Sequence, residues 1–512
     1  MKTSFLKISG LLVAALVVFS CSKESADLEN TPEQTKAYKV SVNAKKCSTK
    51  LVTEDGGKGV TTFDSHESIY FCNLSDGNKI DKTPVNPTPD GADAHKARIV
   101  GTLSGKTSAD VNITYAKGNL LRLMYNVPST GLVDYNSQAG DLDNVVEAAV
   151  ADNIAITNVT TENEITTAEA SFENLQSIFK FTFVNEDSGV EISNIRFVRV
   201  FSNNNKLQSQ YNVVSGTETY GPVTISRDNN LSNNYIYAGL RFASNPGDVI
   251  VFQVVDAAGN VYSGSKTAPA SGFANSKFYT STVNVKRYTF TTASGKKVCF
   301  SPGDLGLEII NSQSVYSFTE PFTTWGHGNT TNYNNAEDAK AVAKRVWFDF
   351  YIESGLRENA TLYGITGWRV PTRLGSSVES YEWNYLINSR TMNSGVNSYY
   401  KVTIPGHQYC LLLPPDETQS SDIGEDLTSG TVTDYVKYLG KGFVLLFNTN
   451  RATYFKKWSW GGSTSSYAKQ GWYWTWYNTS NRYYFTWPDI GPKVDWGSNR
   501  MRNHIRYVHD ID

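Results

Sequence analysis

The chain has 512 residues, with 47 Lys and Arg against 49 Asp and Glu and a formal net charge of -2 at pH 7. A balance this even, with both signs mixed along the sequence, leaves no electrostatic footprint for nucleic acid or an anionic membrane. The length exceeds what one core supports and predicts roughly two to four domains. At the N-terminus Lys2 and Lys7 flank the start of an apolar run over 8–19. That run is shorter than the ~20 residues a spanning helix needs, so 1–20 is predicted to be a cleaved export segment. No later stretch approaches membrane length, and the polar residues 22–35 read as a flexible tether.

Cys21 follows Ser20 directly at the end of the apolar run. This resembles the lipobox of bacterial lipoproteins, in which the thiol is diacylated and becomes the new N-terminus, although Phe19 departs from the smaller residue usual there. The resemblance implies lipidation at Cys21, a lipidated tether over 21–36, and a place at the cell outer membrane held through acyl chains only. The competing reading is an ordinary signal peptide with an incidental cysteine.

From residue 37 the pattern is short strands with period-two alternation, divided by Gly, Asn, Asp and Ser clusters, as in antiparallel sandwiches. Strands are predicted over 38–42, 68–71, 178–184, 195–201, 235–242, 249–255 and 278–285. A weak break falls over 128–153, where Asp134, Ser137, Gly140, Asp141 and Asp143 interrupt the alternation. Two β-sandwich domains are therefore expected, over 37–148 and 149–286. Cys47, Cys72, Cys299 and Cys410 form no CxxC pair, so zinc is unsupported. An exported chain permits a Cys47–Cys72 disulfide, and buried thiols fit equally well.

All eleven tryptophans lie between Trp325 and Trp496. The third domain, 287–512, therefore reads as a different module with a core of its own. Helices are predicted over 335–350 and 377–389, where Ala339, Val342, Ala343, Val346 and Trp347, then Tyr381, Tyr385 and Leu386, recur at helical spacing. The expected fold class is mainly β: two sandwiches followed by an α+β domain.

The front half, 37–286, resembles the fimbrillin family of lipid-anchored pilus subunits. The residues carrying this are 49–57, 65–73 with Glu67-Ser68-Ile69-Tyr70-Phe71, 133–143, 165–168, and above all 172–183, Phe-Glu-Asn-Leu-Gln-Ser-Ile-Phe-Lys-Phe-Thr-Phe. The C-terminal domain resembles the fold shared by C-type lectins and formylglycine-generating enzymes. Its landmarks are 367–372, 382–386, 411–416, 442–447, 471–475 and 502–510. This likeness implies a helix bearing Trp383 and Leu386 packed on a small sheet, with the terminal strand closing beside the start of the module.

No catalytic constellation accompanies these resemblances, and the chain is expected not to be an enzyme. The histidines are scattered, His504 and His509 lack HExxH spacing, and neither a GxSxG nor a phosphate-binding Gly loop is present. The formylglycine-generating branch uses a pair of reactive cysteines, and only Cys299 and Cys410 lie in this module. The calcium-dependent lectin branch reads sugar through a Pro-centred loop, for which the nearest string here is Trp487-Pro488-Asp489 with Asp495-Trp496 beyond. Six to eight oxygen ligands are needed for that ion, so the string admits calcium without supporting it, and no cofactor is expected.

Trp472, Trp474 and Trp476 alternate on one strand face, the usual sign of core packing. Trp487 and Trp496, flanked by Asp, Gly or Pro, are the surface candidates. With Asn478, Asp489, Asp495, Asn499 and Arg500 they form a candidate ligand site, indoles stacking on sugar rings while polar groups read hydroxyls.

The resemblances imply a lipid-anchored adhesin, an accessory or tip subunit of a fimbrillin-type pilus with a lectin-like module for a host or bacterial glycan or protein. Its implied partners are other pilus subunits, joined by donor-strand insertion. The C-terminus is spent on a folded module, so the chain is expected to accept a strand and donate none. The alternative is a stand-alone surface glycan-binding lipoprotein for nutrient capture.

Overall fold

The computed structural model describes residues 36–46, 53–55, 58–60, 62–318 apart from 137, 204–205, 228–232, 244–245 and 311–312, then 348–349, 359–372, 382–446 apart from 406, the strands 472–475, 483–486 and 493–496, and 502–503 with 506–511. Among these, β-strands dominate and the helices are short, which agrees with the mainly β expectation. No helix of the described residues is long and apolar enough to cross a membrane.

The first half contributes β1 (Tyr38–Lys46), a small hairpin of β2 (Thr53–Asp55) and β3 (Lys58–Val60), then β4 (Ile69–Asn73), β5 (Lys79–Ile80), β6 (Pro87–Pro89), β7 (Lys96–Leu103) and β8 (Leu120–Tyr125). After these come β9 (Leu132–Asp134), β10 (Ala149–Val159), β11 (Glu164–Thr167) and β12 (Ala170–Asn174). A nine-stranded sheet runs β5-β4-β8-β10-β11-β1-β7-β6, with β12 paired to both β1 and β10. Register shifts in β10 at Ala151/Ile154 and Ile156/Asn158 let that strand pass from one layer to the other. Bulges bend a strand in this way, so the sheet folds over on itself. Val40, Val42, Ile99 and Ile165 from one layer then meet Phe71, Leu121 and Leu123 from the other in a common core.

The second half adds β13 (Ser177–Asn185), β14 (Ile195–Ser202), β15 (Leu207–Asn212), β16 (Glu218–Tyr220), β17 (Val223–Ser226), β18 (Tyr235–Phe242), β19 (Val249–Asp256), β20 (Val261–Thr267) and β21 (Phe278–Arg287). They form a ten-stranded sheet, β16-β15-β18-β13-β21-β20-β19-β14-β17, to which β9 adds by pairing with β15.

This pairing departs from the sequence-based division at 148/149. Strands β10, β11 and β12 belong to the first sheet, because Ala149, Ala151, Ile154, Ile156, Ile165, Ala170 and Phe172 close its core. β9 belongs to the second. The polar residues read as a break line a connection crossing the second sandwich, where buried Gln138 donates to the Tyr135 and Gly239 carbonyls and accepts from the Gly239 N–H at 2.7 Å. The sandwiches also share apolar packing, with Cys72 and Met124 in one cluster with Phe179, Phe181 and Val198.

The third module opens with β22 (Phe290–Thr291), β23 (Lys297–Ile310) and β24 (Gln313–Phe318). Its last strand, Arg506–Ile511, lies antiparallel to β23 from Lys297↔Ile511 to Asp304↔Arg506, so the module closes beside its own start. The helical turn at Glu382–Asn384 continues into a π turn at Tyr385–Ser389, whereas of the helix expected over 335–350 residues 335–347 lie outside the described residues and Phe348–Asp349 is a strand paired with Arg502–Asn503. Trp383, Leu386 and Ile387 bury against Phe300, Leu411, Leu413, Leu446 and Val508.

The module is not an independent core. Phe197 and Val255 of the second sandwich cluster with Leu305, Phe318 and Trp368, while Phe201 and Val251 cluster with Tyr400, Leu439 and Phe443. Along β14 the residues of one phase, Phe197, Arg199 and Phe201, face the module, and those of the other, Val198 and Val200, face the sandwich core.

Candidate functional site

The element with the most unusual placement is the first one. β1 is the earliest described strand, yet it lies inside its sheet, antiparallel to β7 over eight residue pairs from Tyr38↔Leu103 to Lys45↔Lys96. On its other side it runs parallel to β11 from Lys39↔Glu164 and to β12 from Ala44↔Ala170 to Lys46↔Phe172. Its neighbours on both sides are supplied by later segments, so β1 fills a slot that the rest of the sandwich defines.

Alternation decides what the slot holds. Tyr38, Val40, Val42, Ala44 and Lys46 are buried and the residues between them face outward. At one end the Tyr38 ring meets Tyr115 edge to face at 5.0 Å. Tyr115 in turn donates to buried Asp81 at 3.3 Å, and burial, followed by the Asp81 charge, pushes its phenol well above the usual range. Outward-facing Lys39 and Lys45 pair with Glu164 at 3.4 Å and Glu169 at 3.0 Å; exposed pairs of this kind add little stability but favour one register.

At the other end the Lys46 side chain is 1% exposed. Its ammonium donates to the Thr62 carbonyl at 2.6 Å, the Tyr125 hydroxyl at 2.5 Å and Glu147 Oε1 at 3.5 Å, and Glu67 Oε2 lies 3.7 Å away. The nitrogen sits 3.8 Å from the Tyr125 ring centroid and 4.8 Å from that of Phe63. Phe63, Tyr125 and Phe172 contact one another edge to face at 5.8–5.9 Å. Cation–π attraction, charge-assisted hydrogen bonds and two carboxylates thus converge on one buried ammonium.

Glu67 and Glu147 also line a cleft of about 680 Å³ between the sandwiches, together with Asp64, Asp134, Leu142 and Val146. The Asp64 carboxyl is held below its ordinary range by the backbone N–H of His66 and then by the His66 ring.

The sequence-predicted site lies elsewhere. Asn478, Trp487, Asp489, Asn499 and Arg500, like Cys21, are outside the described residues. Asp495 and Trp496 end the strand Lys493–Trp496, where they pair with Tyr484 and Tyr483 of Tyr483–Thr486; that strand pairs in turn with Trp472–Thr475. Among the described residues no group of His, Cys, Asp and Glu is arranged to hold a metal ion. Cys72, Cys299 and Cys410 are buried, and Cys47 lies outside the described residues. Sequence reasoning missed Lys46, Glu67 and Glu147. The available signal was a lysine occupying the inward phase of an apolar row.

No family model matches the chain, and no curated protein matches it. Solved structures with some likeness include a protein named for cell adhesion from Bacteroides uniformis, at 14% identity over 48% of this chain and 93% of that one, with a TM-score of 0.29. A fimbrial protein from Bacteroides ovatus aligns over 93% of this chain and 100% of its own at 12% identity and TM-score 0.23. The C-terminally truncated tip fimbrial protein Mfa3 from Porphyromonas gingivalis aligns over 45% of this chain and 81% of its own at 11% identity and TM-score 0.23. At these scores the likenesses carry no weight for what this chain does.

Proposed function

We propose that this chain is a lipid-anchored surface adhesin of fimbrillin type, an accessory or tip subunit that joins other pilus subunits by accepting a strand in place of β1. The observation that carries the reading is the position of β1, an interior strand whose partners on both sides come from later segments. A strand so placed can leave without unthreading the chain around it, and the groove it vacates offers two rows of backbone donors and acceptors to an incoming strand.

Nothing in this reading is catalytic. The C-terminal module is then the part that meets a glycan or protein ligand, as a lectin-like domain would.

The test is isolation of the protein from the outer membrane of its own cells under mild conditions. Co-purification with a ladder of polymerised subunits is expected. A lipoprotein recovered as a single species, without polymer, from cells that do assemble pili would instead favour stand-alone glycan capture.

A further inference from the structure

The slot filled by β1 is apolar at four inward positions and strongly polar at the fifth. Tyr38, Val40, Val42 and Ala44 need only packing, whereas the Lys46 position is surrounded by Glu67, Glu147, the Tyr125 hydroxyl and the Thr62 carbonyl. Glu67 and Glu147 are 17% and 12% exposed, so little water is available to replace a missing cation.

We propose that the β1 slot selects its occupant by an ammonium: a strand that takes the place of β1 must carry a lysine at the Lys46 position. This rests on the strand-replacement reading above and specifies the partner it accepts. An all-apolar strand would place two carboxylates beside an apolar side chain and leave Tyr125 and Thr62 without the donor they have now, the costly half of a broken buried ion pair. The ammonium donates to Thr62, Tyr125 and Glu147. The Phe63 and Tyr125 rings enclose it at 4.8 and 3.8 Å, a compact space that suits a point charge better than a planar guanidinium.

The charge also sets register. Side chains alternate with period two, so a slip of two residues keeps the apolar row buried but moves the lysine out of its cage. The cage therefore distinguishes one register among those that alternation alone would permit. The accepted partner is a strand with inward residues in the order aromatic or bulky aliphatic, aliphatic, aliphatic, small, lysine.

The experiment uses the full chain with a specific protease site placed within 47–52, cut once and offered labelled peptides in mild denaturant. The peptides carry the 38–46 sequence, the same sequence with Lys46→Met or Lys46→Arg, and a scrambled order. Loss of the original strand is followed by mass spectrometry. The unaltered peptide is expected to be retained about tenfold more tightly than the Lys46→Met peptide, equivalent to about 1.4 kcal/mol. The Lys46→Arg peptide should fall between them and the scrambled peptide should not be retained. Equal retention of the unaltered and Lys46→Met peptides overturns the ammonium requirement and leaves strand replacement standing. If the original strand departs and no peptide enters, strand replacement itself fails. A second measurement needs no exchange: β1 should leave the cut Lys46→Met chain about tenfold faster than the cut parent, and equal rates overturn the proposal.

Discussion

Arg369 grips Glu382 with both ends of its guanidinium, Nη1 to Oε2 at 2.7 Å and Nη2 to Oε1 at 3.0 Å. The same guanidinium reaches Asp510 at 2.5 and 3.0 Å, and the Thr372 N–H donates to Glu382 at 2.7 Å. Burial works against the Arg369 charge, but the two carboxylates outweigh it and hold its pKa above the ordinary value. With Glu382 only 2% exposed, loss of its charge leaves a partly buried cation with Asp510 alone. Glu382→Gln is expected to destabilise the fold by about 3–5 kcal/mol, the range for breaking a buried pair from one side. Denaturant titration of the full chain measures it; a change below about 1 kcal/mol would remove Arg369–Glu382 as the tie between these segments.

Those two residues also show what the sequence made legible. The landmarks at 367–372, 382–386 and 502–510 are legible from their residues and order, and Arg369, Glu382 and Asp510 are where they touch. The seven predicted strand windows all fall on observed strands, because period-two burial is a local property. What failed was non-local. β1 runs past the predicted 38–42 to Lys46, which keeps the inward phase. Over 128–153 the Asp and Gly residues break alternation and so read as a boundary, a local pattern that does not reveal that Gln138 satisfies the backbone of another strand. The predicted ligand loop lies mostly outside the described residues.

The expected independence of the C-terminal module met a clearer obstacle. β14 is buried on both faces, as near-continuous apolar strands are when covered on each side. Its fully buried Arg199 donates to the Pro302 carbonyl at 2.8 Å and the Phe318 carbonyl at 2.7 Å, while Phe197 meets Phe318 edge to face at 5.5 Å. A fragment beginning at residue 287 would expose Phe318 and the apolar cluster around Trp368 and leave those carbonyls without their donor. It is expected to lack a cooperative thermal transition. In the full chain, Arg199→Met should lower the stability of the second sandwich and the module together by about 2–4 kcal/mol, from two buried acceptors at about 1–3 kcal/mol each partly offset by packing. A fragment that melts cooperatively by calorimetry would restore the independent core.

The buried thiols predict an alkaline limit. Burial pushes the Cys72 thiol up to about 11 and the Cys299 thiol up to about 12, from an ordinary 9.0. Above pH 9.0 the unfolded chain releases protons that the folded chain keeps, so this contribution is complete below pH 9.0 and is lost as pH rises toward 11–12. Melting temperature should fall over that window, and less steeply in a Cys72→Ala/Cys299→Ala variant. In native protein at pH 8, iodoacetamide should leave Cys72, Cys299 and Cys410 unmodified as read by peptide mass spectrometry. Rapid labelling of all three, or parallel pH slopes for parent and variant, would contradict the burial argument.

Anchoring is tested at the other end of the chain. Because the Cys21 thiol is the proposed acylation site, Cys21→Ser should shift the protein from the outer-membrane fraction to a soluble or mislocalised one. The measurement is fractionation with immunodetection, supported by metabolic labelling with a fatty-acid probe. A Cys21→Ser protein that still sediments with outer membrane and still takes up the probe would leave the lipoprotein reading without its residue.

The ligand site proposed for the aromatic segment separates from structural tryptophans by what each loses. Trp383 is fully buried, with its ring 5.6 Å from that of Phe300 and its cluster neighbours Phe300, Leu411, Leu413, Leu446 and Val508 drawn from four strands of the module. Trp383→Ala should therefore cost about 3–5 kcal/mol of stability, whether or not ligand is present. Trp487 and Trp496 are proposed to stack on sugar rings. Replacing either with Ala should weaken glycan binding by about 2 kcal/mol while leaving the unfolding midpoint unchanged. The comparison requires both measurements on every variant, a glycan-array or calorimetric affinity and a denaturant midpoint, since a structural tryptophan loses both. Asp489 and Asp495 alone do not complete a calcium shell, so binding should survive chelation. Binding abolished by chelator would make the segment a calcium site after all. Unchanged affinity in both the Trp487→Ala and Trp496→Ala proteins would move the ligand to another face of the module.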